Sequence, residues 1–318
     1  DIQVECVLNE GDIKEIKDKV ASIYVDDSIY EYVAKIVAKT RVRENIIQGV
    51  SPRGSIALIA MAKAEGCRVS FGAEFEFYLF KTDENGNPTS EPFDRAGYMD
   101  VAPEDKGENV RREICLMLEQ MGIRPESSHH ESGPGQNEID FRYSDPLTAA
   151  DNAITFRAVV RTVAAQNGLC ASFQPKPLPD RDGSGMHINI SAKGSVTEDL
   201  LPAVIAAVLA KSAEITLFLN PVEESYRRLG RDKAPRYITW SEENRSQLIR
   251  IPAAVGEQHR AELRSADSTA NPYLAFALLI WAGLEGLREK IALPEQCDVN
   301  LYTLREKEAA QLKALPLS

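Results

Sequence analysis

Residues 71–80 read F-G-A-E-F-E-F-Y-L-F, and the alternation in this stretch decides the fold. Phe71, Ala73, Phe75, Phe77 and Leu79 recur with period two, the pattern of a half-buried β-strand. Glu74 and Glu76 fall on the opposite face, roughly 7 Å apart along the strand. Carboxylates so placed can share one hard cation or bind one each. A lone pair of this kind more commonly faces water. Further metal-ligand residue types on similar short strands downstream favour the chemical reading.

Outward from this strand, short amphipathic stretches predict further strands at 137–143, 185–191 and 259–264. Helical spacing predicts helices at 109–121, with Val110, Ile114, Leu118 and Met121 on one face, and at 149–166, 196–219 and 272–291. The last is opened by Asn271-Pro272, a cap followed by proline at the first helical position. Residues 81–104, rich in Asn, Gly, Pro and Asp, read as a long loop. Strands scattered among helices without regular βαβ alternation predict an α+β fold with a mainly antiparallel sheet. Before residue 68 the pattern is helical throughout: Ile13, Ile16 and Val20 form one face, and Ile29, Val33, Ile36 and Val37 another. The expected organisation is a helical segment over 1–67 and a catalytic domain over 68–318.

The 318 residues suggest about two domains, and 43% hydrophobic content suffices for a buried core. A net charge of −11 argues against a nucleic-acid partner. Five widely spaced cysteines, none in a C-x-x-C pair, read as free thiols in a reducing compartment. No apolar run is judged long enough to span a membrane, and no signal-peptide core opens the chain. The expected location is cytoplasmic.

Four segments carry the candidate chemistry: Glu74 with Glu76; H-H-E-S-G-P-G-Q-N-E over 129–138; D-G-S-G-M-H-I-N-I-S over 182–191; and H-R-A-E-L-R over 259–264. His187, Asn189 and Ser191 share one strand face, as do Arg260, Glu262 and Arg264. An arginine-rich run over 225–250 adds Arg228, Arg245 and Arg250. Five glutamates with one imidazole suit Mg²⁺ or Mn²⁺, whereas a structural zinc site would want thiolates. Guanidiniums beside such carboxylates suit a substrate bearing phosphate and carboxylate. Phosphoryl transfer calls for this combination.

Taken together, residues 68–306 resemble the catalytic domain of type I glutamine synthetase. The matching motifs, in chain order, are G-A-E-F-E-F, H-H-E with G-Q-N-E, K-P-L-P (Lys176–Pro179) with G-S-G-M-H, S-Y-R-R-L (Ser225–Leu229), N-R-S-Q-L-I-R-I-P (Asn244–Pro252), R-A-E-L-R and N-P-Y-L-A-F-A (Asn271–Ala277). The resemblance implies a curved, mainly antiparallel sheet with flanking helices. It implies two metal sites, Glu76, Glu131 and Glu138 nearer the substrate and Glu74, His187 and Glu262 nearer the ATP phosphates. It places the nucleotide against Glu126, Asn189, Ser191, Arg250 and Arg260. Glutamate falls against Gly183, Arg228 and Arg264, and the transferred phosphate against Arg245. The implied reaction is phosphorylation of the glutamate γ-carboxylate by ATP, followed by attack of ammonia, in a homo-oligomer.

Residues 1–67 resemble the helical lid of MoxR-type AAA+ ATPases, through Val25–Val33, Thr40-Arg41 and Gly49–Gly54. Arg53 matches that family's nucleotide sensor, yet no G-x-x-x-x-G-K-[ST] loop occurs in the chain.

Three positions depart from the synthetase pattern. The flap that carries the family's base glutamate is L-G-R-D-K-A-P over 229–235, where Asp232 is the candidate base. Asp182 replaces an asparagine before G-S-G-M-H. Tyr302 matches the family's adenylylated tyrosine, but Val299 replaces a basic neighbour. The chain reads as a catalytic domain shortened at both ends, without the family's β-grasp domain. The altered flap leaves open a γ-glutamyl–polyamine ligase, and the missing domain a catalytically silent nucleotide- or metal-binding module.

Overall fold

The computed structural model describes residues 67–194, 199–253 and 259–317. The helical segment and lid-like resemblance expected over 1–67 lie outside the described residues, apart from Cys67. The strand read from residues 71–80 runs as β1 over Arg68–Thr82. It is the hub of a nine-stranded sheet. The other strands are β2 Pro88–Pro92, β3 Pro125–His130, β4 Gln136–Phe141, β5 Leu169–Ser172, β6 Met186–Lys193, β7 Trp240–Glu242, β8 Ile249–Ile251 and β9 Ala261–Leu263. Their order is β3-β4-β1-β6-β9-β8-β7, with β2 and β5 also paired to β1. All ladders are antiparallel except β7–β8, so the sheet is mixed by a single parallel pair.

The helices are α1 Glu108–Gln120, α2 Pro146–Gln166, α3 Leu201–Leu219, α4 Glu223–Arg228, α5 Pro272–Glu289 and α6 Glu306–Ala309. On α1 the expected face buries Val110, Ile114 and Leu118, while Met121 falls just past the helix end and is exposed. Asp145 caps α2 by accepting the Leu147 and Thr148 N–H groups, and Pro146 follows at the first turn. Asn271 caps α5 in the same way through Leu274. Both caps satisfy amides that have no partner within the helix.

The apolar face of β1 makes the core. Phe71 stacks on Phe276 of α5 with ring centroids 4.5 Å apart, and Phe75 stacks on Phe156 of α2 at 4.9 Å. This layer leaves the opposite face, with Glu74 and Glu76, free to line a cleft.

One sequence expectation needs correction. Helix α3 is long and apolar enough to cross a membrane by length and composition, with a mean hydropathy of 1.7. It packs instead against α5, where Gly283 faces Val204 and Gly286 faces Ala207. Lys211 of α3 pairs with Glu285 of α5 at 3.2 Å. Its apolar length serves helix packing.

Candidate functional site

The sheet register assembles the carboxylates. Glu76 pairs across the ladder with Glu138 of β4, and Glu74 lies opposite His187 of β6 on one side and Asp140 of β4 on the other. Glu262 of β9 lies opposite Asn189 of β6 and Arg250 of β8. Period two then puts all these side chains on the face away from the helices. All of them except Asn189 line a cleft of about 410 Å³.

Within it, His187 Nδ1 is 3.2 Å from Glu74 Oε2 and 3.4 Å from Glu262 Oε1. Single ligand atoms of Glu74, His187 and Glu262 lie within 4.8 Å of one another. This is one of the two ligand groups expected from the sequence. Glu76, Glu131 and Glu138, the other group, also line the cleft. Here the closest sets are Glu76–Glu138–His187 and His129–Glu131–Glu138, so the histidines stand between the carboxylates.

Crowded carboxylates repel. Burial, with the charges of Glu76, Glu74 and Glu131, pushes the Glu138 carboxyl well above the usual carboxylate range. Burial and Glu138 do the same to Asp140. Burial would raise Glu74 too, but the hydrogen bond and charge of His187, helped by Asn189 and Arg250, carry it well below that range. Asp140 Oδ1 is buried with no partner among the described residues. An orphaned acidic oxygen, two carboxyls raised by burial and by their acidic neighbours, and an imidazole beside carboxylates are a donor set that fits hard divalent cations.

Arginines line the same cleft. Arg250 Nε and Arg264 Nη1 each lie 2.5 Å from a different oxygen of Glu262. Arg264 Nε is buried and unpartnered among the described residues, a donor available to an incoming anion. Arg228 donates to the carbonyls of Ser265 and Arg264 at 2.8 and 3.3 Å. Close packing at Gly183 and Gly185 lets its guanidinium reach the cleft: a Cβ at Gly185 would sit 2.6 Å from Arg228 Nη2. Arg245 reaches the Tyr98 hydroxyl at 3.4 Å.

Some expected residues lie elsewhere. Of the nucleotide set, only Arg250 lines the cleft. Asn189 and Arg260 stand just beside it in a chain: Arg260 Nε donates to Asn189 Oδ1 at 2.9 Å, and Asn189 Nδ2 donates to Glu74 Oε1 at 2.7 Å. Ser191 lies two residues farther along β6, opposite Ser70. Glu126 is exposed on β3, outside the cleft lining. Asp232 is also outside it, because its carboxylate pairs with Lys176 Nζ at 2.5 Å. The adjoining Lys233 enters the cleft in its place, against the Ser132 hydroxyl, 3.7 Å from Glu131 Oε2 and 4.7 Å from the Tyr98 ring centroid.

Sequence reasoning missed His129, Asp140, Lys233 and Tyr98. Asp140 was the most accessible, since it follows Glu138 at the same period. His129 stood within the H-H-E motif without an assigned role. Nothing local marked Tyr98, which lies in the 81–104 loop.

The mixed sheet and its carboxylate–arginine cleft define a glutamine synthetase-like catalytic domain. The family description "Glutamine synthetase, catalytic domain" matches residues 50–318, and the chain belongs to that family. The match begins ahead of the expected boundary at residue 68. Among curated relatives, glutamine synthetase of Methanosarcina mazei is 46% identical over 274 residues, covering 81% of this chain and 61% of its own. That of Clostridium saccharobutylicum is 44% identical, covering 78% and 59%. The chain thus spans about three fifths of these relatives. Among solved structures, a GmaS/ADP complex superposes with a TM-score of 0.74 at 29% identity, covering 84% of this chain and 66% of that one. Plasmodium falciparum glutamine synthetase shares the fold, with a TM-score of 0.69 at 24% identity, covering 83% and 60%.

Proposed function

We propose that this chain carries the site for ATP-dependent ligation of ammonia to glutamate. The observation that supports it most is the convergence of Glu74, Glu76, Glu131, Glu138, His187 and Glu262 with Arg228, Arg245 and Arg264 on one cleft. The glutamate γ-carboxylate oxygen would attack the γ-phosphorus of ATP, with ADP leaving. Ammonia would then attack the acyl carbon, and phosphate would leave carrying the carboxylate oxygen. Arg264, with its spare Nε donor, and Arg228 would orient glutamate, while Arg245 would meet the transferring phosphoryl group. Glu76, Glu131 and Glu138, and Glu74, His187 and Glu262, would hold Mg²⁺ or Mn²⁺. Such ions, when bound, would offset the negative charge on the transferring group.

The proton lost by ammonium needs an acceptor. Asp232 would first have to release Lys176, and Lys233 adds a cation at the cleft mouth. The altered flap over 229–235 leaves a second reading, a γ-glutamyl ligase for another amine such as a polyamine. The test is Mg²⁺-dependent ADP release with glutamate plus ammonium, against glutamate plus putrescine. The first reading requires ammonium to stimulate release and glutamine to form. Stimulation by putrescine alone would select the second, and no ADP release with either amine would leave a silent binding module.

We further propose that the protein works in the cytoplasm as a homo-oligomer. Cys115, Cys170 and Cys297 are free thiols, which is compatible with a reducing compartment.

A further inference from the structure

Behind one wall of the cleft lies a polar cluster that none of these steps uses. His130, Asp94, Asp105, Arg111 and Asn137 are each less than 5% exposed. Asp94, Asp105 and His130 have the residue types and spacing of a metal site. Their atoms are already engaged, however. Arg111 donates to both oxygens of Asp105 at 2.6 and 3.1 Å and to Asn137 Oδ1 at 2.6 Å. Asp94 accepts the backbone N–H groups of Ala96, Lys106 and Gly135. The guanidinium already supplies the cation, so a metal reading fails here.

His130 is the joint of this cluster. Its Nδ1 donates to the Glu131 carbonyl at 2.6 Å, and its Nε2 donates to Asp94 Oδ1 at 2.9 Å. With an oxygen acceptor at each ring nitrogen, both nitrogens carry protons and the ring is an imidazolium paired with Asp94. The His130 carbonyl also accepts the Met99 N–H at 3.0 Å. One residue therefore ties together the rim loop bearing Tyr98 and Met99, the backbone of Glu131 and, through Asp94, the turn at Gly133–Gln136 that leads to Glu138. That turn needs an external hold: Gly135 adopts φ +69, and its N–H has Asp94 as its acceptor.

We propose that the buried His130–Asp94 pair is a positioning device for the reaction, setting Glu131 and Glu138 at the spacing a divalent cation requires. This rests on the metal reading of the cleft proposed above. Partners of this kind, one bond behind the ligands, typically change metal affinity by about 10–100-fold when removed. Glu74, His187 and Glu262 stand on β1, β6 and β9 and do not depend on the pair.

The test is a Mn²⁺ titration of the full chain, free ion read by paramagnetic resonance, on wild type, Asp94→Ala, Asp94→Asn and His130→Gln. Thermal unfolding without metal serves as the folding control. Wild type should show two uptake phases. Asp94→Ala should weaken one phase by about 10–100-fold and leave the other unchanged. Asp94→Asn, which keeps the acceptor oxygen, should recover part of the loss. If Asp94→Ala does not fold, the comparison of Asp94→Asn and His130→Gln with wild type decides in the same way. Equal weakening of both phases would indicate general loosening and overturn the proposal, as would two unchanged phases. A wild type that takes up no Mn²⁺ would overturn the metal reading itself, and this inference with it.

Discussion

Glu138 faces Glu76 across the β1–β4 ladder, and Asp140 faces Glu74 two residues along. Burial, and repulsion among four acids on one face, drive Glu138 and Asp140 toward the protonated form. Glu138→Gln should therefore stabilise the metal-free chain near pH 7.5. It should also remove the part of the Mn²⁺ stabilisation that the Glu76, Glu131 and Glu138 group supplies. Paired thermal unfolding curves with and without Mn²⁺ check both halves. Arg264 makes a different case, because its planar fork already grips Glu262 and keeps Nε spare. Arg264→Lys should raise the KM for glutamate about 10–100-fold, the equivalent of one charged hydrogen bond lost. An unchanged KM would remove Arg264 from the glutamate site.

At this scale the sequence was readable where a ligand lay on a strand with strict alternation. Glu74, Glu76, His187 and Glu262 all satisfy that condition, and register then brings them together. Lys233 and Asp232 did not, because the flap is a turn. Asp232 sits there at φ +50 and pairs outward with Lys176, while its neighbour points in. No period in the sequence decides which of two adjacent turn residues enters a cleft.

Helices α3 and α5 show what packing adds at the level of elements. A Cβ on Gly286 would lie 2.3 Å from the Ala207 Cβ and 3.2 Å from the Ala203 carbonyl oxygen. Alanine would gain up to about 1 kcal/mol of helix propensity over glycine. Forcing the helices apart costs about 1–3 kcal/mol, so overpacking wins. Gly286→Ala should lower the midpoint of thermal unfolding; a rise would mean that the two helices separate freely. Long elements were legible for the same reason that they are stable, namely a repeated apolar face and a cap. Strand β1, helix α2 and helix α5 fall within a few residues of their expected bounds. Strands β2, β3, β5, β7 and β8 were not foreseen. β3 reads P-E-S-S-H-H and has no apolar alternation, while β7 and β8 are only three residues each. Such strands exist because a neighbouring strand offers a ladder, which is tertiary information.

For the molecule as a whole, the cleft makes metal-free stability depend on pH. Glu138 and Asp140 have folded-state values raised above their ordinary 4.5 and 3.8. Their contribution is fully present below those ordinary values and is lost as pH rises through the raised ones. His130, also raised from its ordinary 6.5, adds a loss of the same sign on the alkaline side. Asp94 is lowered, so its contribution is lost only as pH falls through its folded-state value, below 3.8. The metal-free chain should therefore lose stability from about pH 5 toward pH 8. Added Mn²⁺ should raise the unfolding midpoint more at pH 8 than at pH 5.5, by a few degrees for each kcal/mol recovered. Equal midpoint shifts at both pH values would mean that the carboxylates do not meet the ion.

In the proposed reaction, one cleft activates the glutamate γ-carboxylate by phosphorylation before the amine attacks. The direct measurement is oxygen transfer from glutamate labelled with ¹⁸O in its γ-carboxylate, incubated with the chain, MgATP and ammonium. One labelled oxygen should appear in each inorganic phosphate released, with one glutamine formed alongside. Phosphate released without label would show that water, not glutamate, attacks ATP, and would contradict the account.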